Sequence, residues 1–198
     1  MRCRECQKQS ERSEDSTRLS AATYHYWFKP SGAAYDILAQ TIHDLARELN
    51  APTFEPHISL IGNLDGTEKE LIHKTEELAR QLESFKAVLT EASYRESHFQ
   101  CLFMLVEPTP PLMKGHAIAS DFFAKPYQDF MPHVSLLYGS YAESRKKLII
   151  DKLPAHVRTT FEVTALYLVR ADSPDPKDWH ETGPFPMKQL RATPARVS

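Results

Sequence analysis

Polar and apolar side chains alternate along two short segments of this chain, one in its first third and one after its middle. Both segments read Pro-His-x-Ser-Leu, and each is preceded by a phenylalanine and one spacer residue. A period of two is typical of a β-strand with one buried face, because successive side chains point to opposite sides. His57 and Ser59 therefore share the polar face of one strand, as His133 and Ser135 do on the other. If the strands are neighbours, two imidazoles and two hydroxyls line one cleft.

The remaining pattern alternates between strands and helices. An aromatic-rich run from Thr23 to Phe28 is typical of a strand. Apolar residues at helical spacing follow it, and a capping box formed by Thr67 and Glu70 opens a second helix. The patterns predict further strands over 85–93, 98–106, 161–169 and 179–185, and helices over 35–49, 67–82, 108–123 and 142–150.

This order of elements places one histidine strand in each half of the chain. We therefore predict an α+β protein of two similar lobes that face each other across a cleft. Residues 1–20 contain almost no large apolar side chains, so we expect a disordered N-terminal extension. We expect a single bilobal domain over residues 21–187 and a flexible C-terminal tail over 188–198.

The charge of the chain limits the class of partner. The 198 residues carry a formal net charge of −2, and 41% of them are hydrophobic. The densest basic cluster, Arg145-Lys146-Lys147, is typical of the solvated face of a helix. Proteins that bind long RNA or DNA usually carry more positive charge than this. A small anionic substrate is compatible, because local groups can hold one phosphate.

The three cysteines, Cys3, Cys6 and Cys101, are too few and too odd in number for a disulfide framework. Cys3 and Cys6 have no second pair with which to complete a zinc site. No apolar stretch approaches the ~20 residues of a membrane span, and the N-terminus lacks the apolar core of a signal peptide. We therefore expect a protein of the cytoplasm, or of the nucleus, without a membrane partner.

The two histidine strands suit acid–base chemistry on a phosphate ester. In-line displacement at phosphorus needs a base on one side and an acid on the other, and histidine can supply both near neutral pH. Ser59 and Ser135 would donate hydrogen bonds to the non-bridging oxygens, where negative charge builds up. We expect no metal and no cofactor, because serine is a poor zinc ligand and Glu55 has no counterpart in the second motif. A duplicated structural strand is the alternative interpretation.

Four stretches of the chain carry a family resemblance: Tyr26-Trp27 followed by Pro30, residues 54–60, residues 101–110 and residues 131–138. Together they resemble the 2H (two-histidine) phosphoesterase superfamily, and in particular its cyclic phosphodiesterase branch. The paired His-x-Ser motifs indicate the superfamily, and the residues around them indicate the branch. The resemblance implies two pseudo-symmetric lobes of antiparallel sheet, with outer helices, around a central cleft.

The resemblance also implies an activity. Such enzymes hydrolyse ADP-ribose 1″,2″-cyclic phosphate to ADP-ribose 1″-phosphate, a late step in disposing of a tRNA-splicing by-product. Several also open nucleoside 2′,3′-cyclic phosphates to 2′-phosphates, and none of this chemistry needs a metal. By analogy, one histidine activates water and the other protonates the departing oxygen. We expect His133 to be the base and His57 the acid.

Two further residues match the family by their place in the motifs. Tyr138 matches a tyrosine that is expected to contact the phosphate. On a regular strand Tyr138 would face away from His133, so a bulge or a strand end would have to redirect it. Trp27 matches an aromatic residue that is expected to stack on the substrate or flank it.

Two other functions are compatible with the sequence. One is an RNA-end-processing enzyme of the same superfamily, such as a 2′–5′ ligase or a 3′-end phosphodiesterase, which would need a more basic cleft. The other is a catalytically inactive module that binds nucleotides or cyclic phosphates. We expect the partner to be a small cyclic-phosphate nucleotide and the protein to be a monomer.

Overall fold

The computed structural model describes residues 22–126 and 130–189. The extension predicted over 1–20 lies outside the described residues, as does most of the tail predicted over 188–198. The described part contains the following strands and α-helices in chain order: β1 (Thr23–Phe28), α1 (Gly32–Leu49), β2 (Ile58–Leu64), α2 (Glu68–Ala79), β3 (Phe85–Ser93), β4 (Leu102–Val106), α3 (Pro110–Phe122), β5 (His133–Leu137), α4 (Glu143–Lys152), β6 (Thr160–Val163), β7 (Ala165–Ala171) and β8 (Trp179–Pro186).

Local signals in the sequence set the ends of the first two helices. Asn50 ends α1 in the left-handed conformation, with φ 49°, and its N–H donates to the carbonyl of Ala46. The capping box predicted for α2 is confirmed. The Thr67 hydroxyl accepts from the backbone N–H of Glu70, and the Glu70 carboxylate accepts from the backbone N–H of Thr67. No helix in the described residues is both long and apolar enough to cross a membrane.

The eight strands form one sheet in the order β6-β3-β4-β5-β2-β1-β7-β8, and every neighbouring pair is antiparallel. The sheet divides between β5 and β2 into two halves of four strands. We call them the first lobe (β2, β1, β7 and β8) and the second lobe (β5, β4, β3 and β6). Each lobe carries one histidine strand, and helices pack on the sheet. The α+β fold of two similar lobes is therefore confirmed.

The lobes exchange strands relative to the chain order. β3 follows β2 in the sequence but lies in the second lobe, whereas β7 and β8 join the first lobe. The single strand predicted over 161–169 is wrong. This run forms two strands, β6 and β7, which are separated only by Thr164 and pair with β3 and β1 respectively.

The sheet must therefore curl. Six strand spacings separate β6 from β7 in the sheet order, which would be about 29 Å in a flat sheet, far more than one residue can span. The residues after β8 help to close the curl, because Lys188 forms a β-bridge with Glu83 just before β3. The Met187 N–H also donates to the carbonyl of Thr164, at 2.9 Å.

The two faces of β1 have different partners. Tyr24, Tyr26 and Phe28 point into the hydrophobic core beneath the helices. The Tyr26 hydroxyl donates to the carbonyl of Leu71 in α2. The intervening side chains, among them Trp27, point to the opposite face of the sheet and line a cavity there. This second face carries the functional residues.

Candidate functional site

The seam between the lobes brings the two histidine strands together. Ile58 of β2 is the Cα partner of Val134 of β5 in an antiparallel pair. Antiparallel pairing about this position brings His57 towards Ser135 and Ser59 towards His133. The side-by-side arrangement of the two strands that the sequence analysis considered is therefore present. Each histidine lies across the seam from the serine of the other motif.

A cavity of about 620 Å³ lies on this face of the seam. Six residues predicted from the sequence line it together: Trp27, His57, Ser59, His133, Ser135 and Tyr138. The cavity is within the range of pockets that hold small-molecule ligands and cofactors, about 300–1,000 Å³. The fold thus assembles in one place the residues that the sequence distributes over three strands and a strand end.

Both imidazoles are held by the same device. His57 Nδ1 lies 2.7 Å from the carbonyl oxygen of Glu55, and His133 Nδ1 lies 2.9 Å from that of Met131. A carbonyl oxygen can only accept, so each Nδ1 carries the proton and donates it. In a neutral ring this leaves Nε2 with a lone pair. The repeated sequence therefore produces two imidazoles in the same tautomer.

Burial lowers the pKa of both histidines. The pKa of His57 falls to about 3, mainly because the ring is removed from water, and the nearby His133 contributes to the fall. Burial also lowers the pKa of His133, and the positive charge of Arg95 acts in the same direction. The carbonyls of Glu55 and Met131 oppose these shifts without cancelling them. Both rings are therefore mostly neutral at pH 7.

Trp27 packs directly on His57. The two rings are stacked, with centroids 3.5 Å apart and planes 8° apart. This contact fixes the orientation of the imidazole, and the face of an indole also favours a charged partner. Trp27 is 5% exposed, so much of its surface is covered. The structure places it as a support for His57 at the wall of the cavity.

The two serines differ in environment. Ser59 is exposed, and its hydroxyl makes no hydrogen bond to any part of the chain that the structure describes. Ser135 is buried, and its hydroxyl donates to the carbonyl of Phe99 at 3.0 Å. To donate to a substrate, Ser135 would have to leave Phe99, whereas Ser59 is ready to do so.

Tyr138 reaches the cavity because β5 ends before it. The strand stops at Leu137, and Gly139 has a φ of 143°, which favours glycine. The Tyr138 ring is buried and stacks on Phe54, with centroids 3.7 Å apart. Burial raises the pKa of its hydroxyl, which interacts with that of Ser135. The strand end considered in the sequence analysis is the feature that redirects this residue.

Sequence reasoning missed several lining residues. His25 lies in the cavity wall, and burial lowers its pKa. It alternates with Trp27 along β1, so a period of two applied to that strand could have found it. Trp179 lies edge-on to Trp27 at 5.6 Å, and Phe99 lies 6.3 Å from Trp179. These last two depend on the meeting of the lobes, which no local pattern shows.

The strand predicted over 98–106 is partly wrong, and the difference affects the cavity. Residues His98–Gln100 form a 3₁₀ turn, and β4 begins only at Leu102. The turn places Phe99 and Gln100 in the cavity wall. Among the described residues, no three or more His, Cys, Asp or Glu side chains are grouped as metal ligands.

Comparisons with known proteins agree with this geometry. A family model of the 2′-5′ RNA ligase superfamily matches residues 34–175. A cyclic phosphodiesterase of Arabidopsis thaliana is 28% identical over 130 residues, which cover 65% of this chain and 72% of that protein.

Solved structures show the same fold. E. coli LigT complexed with 3′-AMP superposes with a TM-score of 0.60 at 14% identity, over 85% of this chain and 99% of that chain. TT0787 of Thermus thermophilus also gives 0.60, at 18% identity, over 85% of this chain and all of that one, 100%. The family match, the two His-x-Ser strands and the shared fold lead to one conclusion: the chain belongs to the 2′-5′ RNA ligase superfamily, the 2H phosphoesterases.

Proposed function

We propose that this protein is a metal-independent cyclic phosphodiesterase. Its substrates would be ADP-ribose 1″,2″-cyclic phosphate, which it opens to ADP-ribose 1″-phosphate, and nucleoside 2′,3′-cyclic phosphates, which it opens to 2′-phosphates. The observation that carries the proposal is the pair of imidazoles in one cavity, each with Nδ1 bound to a carbonyl and Nε2 available. The similarity to a cyclic phosphodiesterase supports the substrate class.

The reaction needs two proton transfers and no other reagent than water. One histidine Nε2 takes a proton from water as the water oxygen attacks phosphorus. The bond from phosphorus to the ribose oxygen opposite the attack breaks, and the second histidine donates a proton to that oxygen. Each such acid or base contributes about 10²–10⁴ in rate. One phosphate ester bond remains, and the two imidazoles have exchanged protonation states.

The pKa directions favour one assignment of the two roles. The acid must hold a proton at neutral pH, and the pKa of His57 is lowered further than that of His133. A bound phosphodiester anion raises the pKa of both rings because it favours the charged form. We therefore assign the base to His57 and the acid to His133, which reverses the expectation drawn from the resemblance.

The hydroxyls would stabilise the charge that develops on the non-bridging oxygens. Ser59 is the direct donor, because its hydroxyl is uncommitted among the described residues. Ser135 and Tyr138 are coupled to one another, so they would act as a pair. Removal of one such donor typically costs about 10²–10³ in kcat.

A substrate panel tests the activity. It contains ADP-ribose 1″,2″-cyclic phosphate, the four nucleoside 2′,3′-cyclic phosphates and a short RNA with a cyclic end, each with product analysis and with EDTA. We expect turnover of the small substrates that EDTA does not change, and a loss of several orders of magnitude in His57→Ala and His133→Ala, with the fold retained. Near-normal turnover by either variant would overturn the proposal. Preference for the RNA would favour an RNA-end enzyme, and no turnover would indicate a binding module.

A sulfur leaving group tests the assignment of roles. In a 2′,3′-cyclic nucleotide whose bridging 3′ oxygen is replaced by sulfur, the leaving thiolate does not need a proton. We expect this substrate to restore turnover to His133→Ala and not to His57→Ala. Rescue of His57→Ala instead would return the roles to the opposite assignment.

A further inference from the structure

Arg95 is held firmly in the turn between β3 and β4. Its backbone N–H donates to the carbonyl of Gln100 at 2.9 Å. Its own carbonyl accepts from Nζ of Lys146 at 3.0 Å, and Lys146 is only 3% exposed. A buried cation therefore fixes the backbone from which the Arg95 side chain extends. The position of this guanidinium is determined by the fold rather than by a flexible loop.

The guanidinium itself has only weak, neutral partners. Nη1 donates to the amide oxygen of Gln100 and Nη2 to Sδ of Met131, both at 3.3 Å. Within the described residues no carboxylate lies at ion-pair distance from it. Arg145 and Arg170, by contrast, hold Glu48 and Asp172 at 2.7 Å. Arg95 thus keeps unused the forked set of donors that binds carboxylate and phosphate best.

Both partners of the guanidinium belong to the catalytic cavity. Gln100 lines the cavity wall. Met131 supplies the carbonyl that holds His133 Nδ1. The charge of Arg95 is also close enough to contribute to the lowered pKa of His133. Arg95 therefore stands one residue beyond the wall, on the His133 side, whereas the residues that line the cavity include no lysine or arginine.

We propose that Arg95 binds a second phosphate of the substrate, one carried on the 5-hydroxyl of the same ribose that bears the cyclic phosphate. Two observations carry this inference: the guanidinium is fixed at the rim with no anionic partner among the described residues, and the cavity has no cation of its own. The cyclic phosphate lies at the two imidazoles, so the next anionic group along the ribose is the one that meets Arg95.

The proposal rests on the proposed function and makes it more specific. The preferred substrates would be ribose cyclic phosphates with a 5-phosphate or 5-diphosphate, and a nucleoside cyclic phosphate with a free 5′-hydroxyl would be a poor substrate. Discrimination would appear chiefly in KM, because the second phosphate is remote from the bond that breaks and contributes equally to the ground state and the transition state.

The test compares two substrates that differ only in this group: adenosine 2′,3′-cyclic phosphate with a 5′-hydroxyl and the same compound with a 5′-phosphate. We expect the wild-type protein to prefer the 5′-phosphorylated compound about tenfold or more in kcat/KM, as for one hydrogen bond between charged groups. Arg95→Gln should abolish this preference and leave turnover of the 5′-hydroxyl compound unchanged. Arg95→Lys should keep part of it, and added salt should reduce it in the wild type.

Arg145→Gln is the matched control, since it removes an exposed arginine from α4, and it should keep the full preference. The ratio between the two substrates cancels any general damage to the fold. Equal turnover of both substrates by the wild type would overturn the inference, as would an equal loss on both in Arg95→Gln. Absence of turnover on either substrate would instead contradict the proposed function.

Discussion

The indole of Trp27 lies flat against the imidazole of His57, with 3.5 Å between the ring centroids. The nearly parallel planes leave the ring of His57 little freedom to tilt. Because a general base must stay within hydrogen-bonding reach of the proton that it takes, this contact is part of the catalytic arrangement. Trp27 is thereby a positioning residue of the active site.

Substitution of Trp27 tests this role. Trp27→Ala should lower kcat at least tenfold and destabilise the protein by about 3–5 kcal/mol, since a large buried ring is lost. Trp27→Phe should keep most of the activity because it preserves a stacked face. The kcat on a cyclic phosphate, the melting temperature and the ring-current shift of the His57 protons would be measured. A normal kcat in a folded Trp27→Ala protein would show that the stack is not required.

The two motif serines should respond differently to the loss of their hydroxyl. Ser135→Ala leaves the carbonyl of Phe99 without its donor, so we expect a loss of about 1 kcal/mol in the free energy of unfolding. Ser59→Ala removes an exposed hydroxyl without a partner in the described chain, so its effect on stability should stay within about 0.5 kcal/mol.

Activity should fall in both serine variants, by about 10²–10³ in kcat for Ser59→Ala. Urea unfolding and steady-state kinetics on the same samples would separate the two effects. Equal stability losses in both variants would contradict the difference in burial seen between the two sites.

Acid should destabilise the protein through His57. Its pKa is about 3 in the folded chain and about 6.5 when unfolded. Between these values the unfolded chain binds the extra proton, so the contribution of His57 to stability is complete above pH 6.5 and is lost as the pH falls towards 3. His57→Asn can keep a donor for the Glu55 carbonyl and cannot titrate. Its melting temperature should fall less steeply between pH 6.5 and 4, and parallel curves for the two proteins would refute the prediction.

Gly62 is needed because of His25. A β-carbon at Gly62 would overlap with Nδ1 of the His25 ring, which lies over the glycine. Gly62→Ala should therefore displace this ring from the cavity wall, lower activity and cost about 1–3 kcal/mol.

Gly115 provides the control for that substitution. A β-carbon there would meet only Cδ2 of Leu82 at 3.6 Å, an ordinary contact, so Gly115→Ala in α3 should be neutral or stabilising by up to about 1 kcal/mol. Melting temperatures and kcat would be compared, and equal behaviour of the two variants would argue against the His25 contact.

The sequence was sufficient for the histidine strands because their pattern is local and occurs twice. His57, Ser59, His133 and Ser135 follow from a period of two, and the capping box of α2 follows from two side chains. The break at Thr164 could not be predicted, because nothing in the apolar run around it marks a change of lobe. That change is decided by β3 and β1, which are remote in the chain.

The environment of each predicted residue was equally out of reach. The carbonyl that occupies Ser135 belongs to Phe99, in a turn that the pattern of residues 98–106 describes as strand. The stack on His57 requires β1 and β2 to be neighbours in a particular register, with Trp27 opposite Ser59. Residue types and spacing identify the reactive groups, whereas their accessibility depends on pairing between distant segments.

The passage of the chain through Thr164 has a mechanical consequence. Two adjoining strands are anchored in different halves of the molecule, so no single cut in the backbone yields two self-sufficient pieces. We expect neither half to detach or swing like a hinged jaw while the other stays intact. The gap across which the two imidazoles act would then persist until the whole molecule melts, and substrate entry would rely on side-chain movement at the rim.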